Sequence, residues 1–317
     1  MREWLDETIP TFSAGSSPRR VGAADIAVMW SMCDVFANTD HHLGGGYARS
    51  TLARFLDDVV SPALQGTYDS RIGRDLYAVA ARLCDLSGFM CFDSARQRLG
   101  QVHFQQALRL AKASGNAALG AHILTDMSMQ AHYLGHPTEA LRLGSAAIRA
   151  ADQSGSPSTA ARCNALLARA HALNRDAPAR ARAMAEAERQ LNRAHPDDEP
   201  DWIRFFTDRQ LSAEFMYAAH DARLTGDVQQ WAPTVLAAST LAGSFVPAVH
   251  GGSNAPAVDV EQACRVLGNT LRAARGLTSA RGIEAINIVR RRLAPYAEMD
   301  VVKEFEHEFQ TTVALIG

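Results

Sequence analysis

The chain has 317 residues, a formal net charge of -2 and five cysteines. Such a length buries a sizeable core, and the near-neutral balance gives no electrostatic reason to expect nucleic acid or an anionic membrane as partner, since both require concentrated positive charge. No apolar run approaches the roughly 20 residues of a bilayer span, and the amino terminus lacks an apolar signal core, so a cytoplasmic protein is expected.

In chain order, PTFSAGSSPRR at residues 10–20 has linker composition, which makes residues 1–20 a flexible arm and starts ordered structure at Val21. AADIAVMWSMCDVFANTD then sets Ile26, Met29, Trp30, Cys33 and Phe36 on one stripe at helical spacing. DHHLGGGYAR follows, and its glycines Gly44, Gly45 and Gly46 supply the left-handed reversal between two helices. Asp40, His41 and His42 are the weak metal candidates of the chain. Adjacent histidines on a helix diverge, whereas zinc pairs want i, i+4 spacing, so neither a metal nor a cofactor is expected. Cys33, Cys84, Cys91, Cys163 and Cys264 are scattered among apolar helical residues, the pattern of free buried thiols rather than of a disulfide framework.

The middle of the chain repeats itself. HYLGHPTEALRLGSAAIRAADQSGS, residues 132–156, reads as a glycine turn at Gly135, a helix start at Pro137, and small residues at Ala140 and Ala147, the pattern of a tetratricopeptide (TPR) repeat. Upstream, Gly88, Gly100 and Ala107 hold comparable positions, QALRL echoes EALRL, and both copies close on Ser-Gly, at Ser114-Gly115 and Ser154-Gly155. The copies are therefore 40 residues apart, somewhat longer than the usual period of about 34. Small side chains at these points let paired helices approach closely. A further hairpin over 163–191 turns at Asp176 and Pro178, with Arg180 where a small residue is wanted, and another over 202–241 turns at Gly226-Asp227. Residues 243–259 read as an irregular loop or lid, 260–277 as the second helix of a hairpin, and 279–293 and about 299–314 as two closing helices. The expected fold is all-α, a right-handed superhelix of TPR-like antiparallel hairpins forming one domain over residues 21–317.

VGAADI, DHHLGGGYAR, DLYAVAARLCDLSGFMCFD, QALRLAKASGNAALGAHILTDMSMQAHYLG and RRRLAP together resemble the C-terminal part of actinobacterial helix-turn-helix transcriptional regulators of the xenobiotic-response-element (XRE) type. The resemblance runs from about Val21 to Pro295. It implies a TPR-like region that senses a ligand and forms a homodimer, following a short DNA-binding domain in those regulators. Twenty residues before Val21 cannot hold the helices of such a domain, so this chain alone is not expected to bind DNA.

In a TPR stack the first helix of each hairpin lines the concave wall. Polar and aromatic residues there are the ligand-binding candidates: Asp126, Gln130, Tyr133, Asn164, Arg169, Phe206, Arg209 and Tyr217, for a peptide, a small molecule or a partner regulator protein. His132 and His136 have i, i+4 spacing, but Gly135 and Pro137 break the helix between and after them. Asp197, Asp198 and Glu199, framed by Pro196 and Pro200, read as a solvated loop capping a helix that begins near Trp202. No glycine-framed serine, activated thiol or nucleotide fingerprint is present, so no catalytic residue is assigned. Two alternatives stay open: an enzyme using the Asp40, His41 and His42 corner or the 243–259 loop, and a scaffold or antagonist pairing with a full-length regulator.

Overall fold

A computed structural model describes residues 20–224, 260–273, 286–287, 290–291 and 293–314. Among them the regular structure is entirely helical, apart from an isolated bridge between Arg20 and Thr67. Two helices open the fold, α1 (Ala23–Leu43) and α2 (Gly45–Phe55), and α2 runs through one widened turn (Leu56–Val60) into the short α3 (Ser61–Leu64). The widening precedes Pro62, which has no N–H to continue the ordinary ladder. Three hairpins follow: α4 (Ser70–Asp93) with α5 (Gln97–Ser114), α6 (Ala117–Tyr133) with α7 (Pro137–Ala151), and α8 (Pro157–Leu173) with α9 (Ala177–Leu191). Beyond them come α10 (Asp208–Asp221), which packs on α8, and the pair α11 (Val260–Ala273) and α12 (Asp300–Ala314) around their own cluster of Leu267, Leu271, Phe305 and Phe309.

The glycine corner has two separate physical reasons. Gly44 adopts φ 78° and ψ 164°, a region open in practice only to glycine. Gly45 is needed for close approach: a Cβ there would lie 2.7 Å from the Met90 carbonyl oxygen, and its own N–H donates to Asp93 Oδ2 at 3.1 Å. The corner thus docks α2 on the end of α4.

The hairpin turns are metrically regular. Ala95, Gly115, Gly135, Gly155 and Arg175 all have positive φ, and each stands twenty residues from the next. The turns after the first helices close alike, with Arg96 N donating to Cys91 O (2.8 Å), His136 N to Ala131 O (2.9 Å) and Asp176 N to His171 O (3.0 Å), the bond that terminates a helix through a left-handed residue. The Ser-Gly turns after the second helices share another device. Ser114 Oγ donates to Ala111 O and accepts from Asn116 N, and Ser154 Oγ donates to Ala151 O and accepts from Ser156 N. Side-chain caps start the next helices, Asn116 for α6, Ser156 for α8 and Asp176 for α9.

The small residues do what their spacing predicts. Ala107, Ala140 and Ala147 are fully buried, and a Cβ on Gly88 would meet the Phe104 ring at 2.6 Å. α4 is enclosed almost throughout from Ala78 to Asp93, with α1 and α2 on one side and α5 and α6 on the other.

The regular spacing stops after Arg175, for the next left-handed residue is Arg223, forty-eight positions on. The extra length lies in residues 196–206, which form only the single turns Pro196–Asp198 and Asp201–Ile203. The helix expected to begin near Trp202 begins instead at Asp208, because Ile203 and Phe206 are drawn into a core with Leu166 and Phe215 and the chain turns to deliver both. Residues 1–19, the Gly226-Asp227 turn, the 243–259 loop and most of 279–293 lie outside the described residues. No helix among the described residues is long and apolar enough to cross a membrane.

Candidate functional site

Equivalent positions of consecutive repeats stack. Arg82 on α4, His122 on α6 and Arg162 on α8 stand forty residues apart and form a buried ladder: Arg82 Nη1 is 3.2 Å from His122 Nε2, and Arg162 Nη1 is 3.2 Å from His122 Nδ1. Two carboxylates balance the guanidiniums. Arg82 Nη1 donates to Asp85 Oδ2 at 2.6 Å, and Arg162 Nη2 pairs directly with Asp126 Oδ1. His122 Nε2 lies 3.5 Å from Oδ2 of both Asp85 and Asp126.

Burial and the two arginines govern the charge of the imidazole. Burial pushes the His122 pKa well below its ordinary value, and Arg162 and Arg82 push the same way against Asp126, so the ring is neutral. An arginine only donates, so the neutral ring accepts from Arg162 at Nδ1 or from Arg82 at Nε2 and not from both, its own N–H occupying the other nitrogen. Burial also raises the Asp85 pKa, against the opposing pull of Arg82 and Arg162, and Asp85 Oδ1 has no hydrogen-bond partner.

Asp85, His122 and Asp126 are the one trio of potential metal ligands found together among the described residues, their ligand atoms within 4.8 Å of one another. The donor set does not fit a resident metal. Arg82 Nη1 already sits between Asp85 and His122 Nε2, where a cation bridging them would lie, and Arg162 holds Asp126. Asp40, His41 and His42 form no such trio, and the His41 ring instead packs against Phe205 at 5.9 Å.

Residues 196–206 cross this ladder as a strap. Glu199 is buried, its Oε1 accepting from Ser158 N at 2.7 Å and its Oε2 from Ser156 Oγ. It therefore caps the N-terminus of α8, where unpaired N–H groups and the helix dipole favour a carboxylate, and it is not the solvated cap of a following helix that its sequence suggests. Trp202 sets its ring edge-on to His122 at 5.0 Å, and Phe205 lies 5.9 Å from the Arg162 guanidinium carbon. Trp202 touches both the α1–α6 core and the α8–α10 core.

A second polar cluster occupies the far ends of the same first helices. Arg169 donates to Glu214 at 2.9 Å and lies over the Tyr217 ring at 4.7 Å, while His132 Nε2 is 3.0 Å from Asp221 Oδ2. Burial opposes ionisation of Asp221, but contacts with His132, His220 and Arg169 outweigh it and hold that carboxyl well below its ordinary range.

Of the residues singled out in the sequence, Arg169 and Tyr217 meet in this second cluster. Tyr133 keeps 41% exposure and sets its ring edge against Phe92, and Arg209 is half-exposed near the start of α10. Four others are buried with internal duties. Asp126 holds Arg162, Gln130 donates to the Gln97 carbonyl at 3.0 Å, Asn164 donates to Ala160 O at 2.9 Å, and Phe206 fills the α8–α10 core. The sequence reading missed Arg82, Asp85, His122, Arg162, Glu199 and Trp202; the forty-residue spacing of Arg82, His122 and Arg162 is the signal that marks the ladder. No protein-family model, no curated protein and no solved structure matches the chain.

Proposed function

We propose that the chain is a regulatory, ligand- or protein-binding module, its hairpins wound as a right-handed TPR-like superhelix whose first helices form the recognition face. One observation carries this reading. The face shared by α4, α6 and α8 bears a charge-balanced ladder of ions and an imidazole, and its cover is a strap with no helix longer than a single turn, inserted into an otherwise regular repeat. The resemblance to the sensory region of XRE-type regulators supports the same reading, with a peptide, a small molecule or a partner regulator as ligand, a cytoplasmic location and a homodimeric state. Arg169, Tyr217, Tyr133 and Arg209 are the first contacts to test, because Arg169 and Tyr217 meet in the second polar cluster and Tyr133 and Arg209 keep accessible surface.

The test is a thermal-shift screen of the purified chain against peptides, metabolites and sibling regulators. A ligand present at a hundred times its Kd adds about 2.7 kcal/mol to the folded state, a readily measured rise in melting temperature. The expected result is a rise in the wild type that falls away in an Arg169→Ala/Tyr217→Ala variant. A flat screen in all three classes, together with a stoichiometric transition metal in the purified protein, would replace this reading with that of an enzyme.

A further inference from the structure

We propose that the strap is an internal stand-in for the ligand, and that the ladder groove is built to receive a peptide bearing a carboxylate followed, three and six residues later, by aromatic side chains. This rests on the binding reading above and names the partner's chemistry. The strap supplies the template. Glu199 delivers its carboxylate to Ser156 Oγ and Ser158 N at the start of α8, Trp202 meets His122 edge-on, and Phe205 lies beside Arg162.

Each subsite has a matching physical preference. The α8 N-terminus offers N–H donors and a positive dipole end, which select an anion. The ladder beneath carries two guanidiniums against two carboxylates, so it presents no net charge to the body of the ligand when all four are ionised. It does present a neutral imidazole and a guanidinium, both of which favour aromatic rings. The strap also has the marks of an occupant added to a finished wall. It interrupts a turn spacing that is regular for five successive turns, contains no helix longer than a single turn, and leaves Trp202 and Phe205 only half-buried. Lifting Glu199, Trp202 and Phe205 leaves the α4–α5 and α6–α7 hairpins intact, because their close contacts lie elsewhere, at Gly88, Ala140 and Ala147, while Ile203 and Phe206 tie the strap to the core of α8, α9 and α10.

The experiment uses a fluorescently labelled peptide with the sequence of residues 195–207, HPDDEPDWIRFFT, titrated by anisotropy into the full-length wild type, a Glu199→Gln variant, and a Glu199→Ala/Trp202→Ser/Phe205→Ser variant. Far-ultraviolet circular dichroism checks that each remains helical. The expected result is binding at least tenfold tighter to the triple variant than to the wild type, with Glu199→Gln between them, and loss of binding when the peptide's own glutamate and tryptophan are replaced by alanine. If the triple variant does not fold, the Glu199→Gln variant decides by the same comparison with the wild type. Equal affinity in folded variants and wild type, no binding to any folded variant, or indifference to the peptide's glutamate and tryptophan overturns the proposal. A ligand found by the thermal-shift screen would then leave the binding reading standing without this ligand chemistry, whereas failure of both measurements removes the two together.

Discussion

His122 is the residue at which the chemistry of the buried ladder can be read from solution. Its folded-state pKa is depressed, chiefly by burial. In the unfolded chain the imidazole takes a proton near pH 6.5, whereas the folded chain refuses it until lower pH. The unfolded state therefore binds more protons below that value, and stability falls as pH falls, with a slope approaching about 1.4 kcal/mol per pH unit for this one group. Asp85 works with the opposite sign, since its raised pKa lets the folded state take up a proton before the unfolded state does. Urea titrations of wild type and His122→Gln between pH 7 and 5 isolate the term: the variant is expected to lose the His122 share of the slope while other groups keep theirs. An unchanged slope would mean that His122 titrates alike in the folded and unfolded chain. The thiols offer no comparable signal, for all five are free and buried, and burial pushes Cys33 and Cys84 up to about 12.

At the scale of the elements, the closeness of paired helices depends on residues that have almost no side chain. Ala147 has no exposed surface and packs with Ala121, Ala151 and Cys163. An Ala147→Leu variant is expected to lose about 1–3 kcal/mol in chemical denaturation, the cost of overpacking a filled site. Arg149→Leu on the exposed side of the same helix should stay within about 0.5 kcal/mol. The helices and the close contacts were legible because alanine and glycine recur at fixed offsets, and the Ser-Gly echo marks turns that use the same hydrogen bonds. Other features left little local trace. Ala95 and Arg175 hold the left-handed positions that glycine fills elsewhere, so the twenty-residue spacing is hidden from any search for glycine turns. Glu199 looks like one of three solvated acids because its partners, Ser156 and Ser158, are more than forty positions away. Asp126, Gln130 and Asn164 were found as polar positions of first helices, but composition does not distinguish a ligand contact from an internal hydrogen bond.

For the whole molecule, the proposed homodimer has a surface to test. α1 buries Ile26, Met29, Cys33 and Phe36 on one face and leaves Val28 and Val35 59% and 53% exposed on another. A helix apolar on both sides gains by covering both. Light scattering of wild type is expected to give the mass of two chains, and Val28→Glu/Val35→Glu the mass of one, with little change in helicity. A dimer that survives the double substitution places the contact on another face, and a monomeric wild type removes the dimer.

The Trp202 ring, lodged against two separate apolar clusters, gives this architecture a keystone. Beside it, Phe205 meets His41 near the carboxyl end of α1. Any event that lifts these rings loosens both flanks of the arch at once and relieves the leading helix of a neighbour. Under the proposed displacement of the strap, these two rings would be the route by which the first helix registers the peptide.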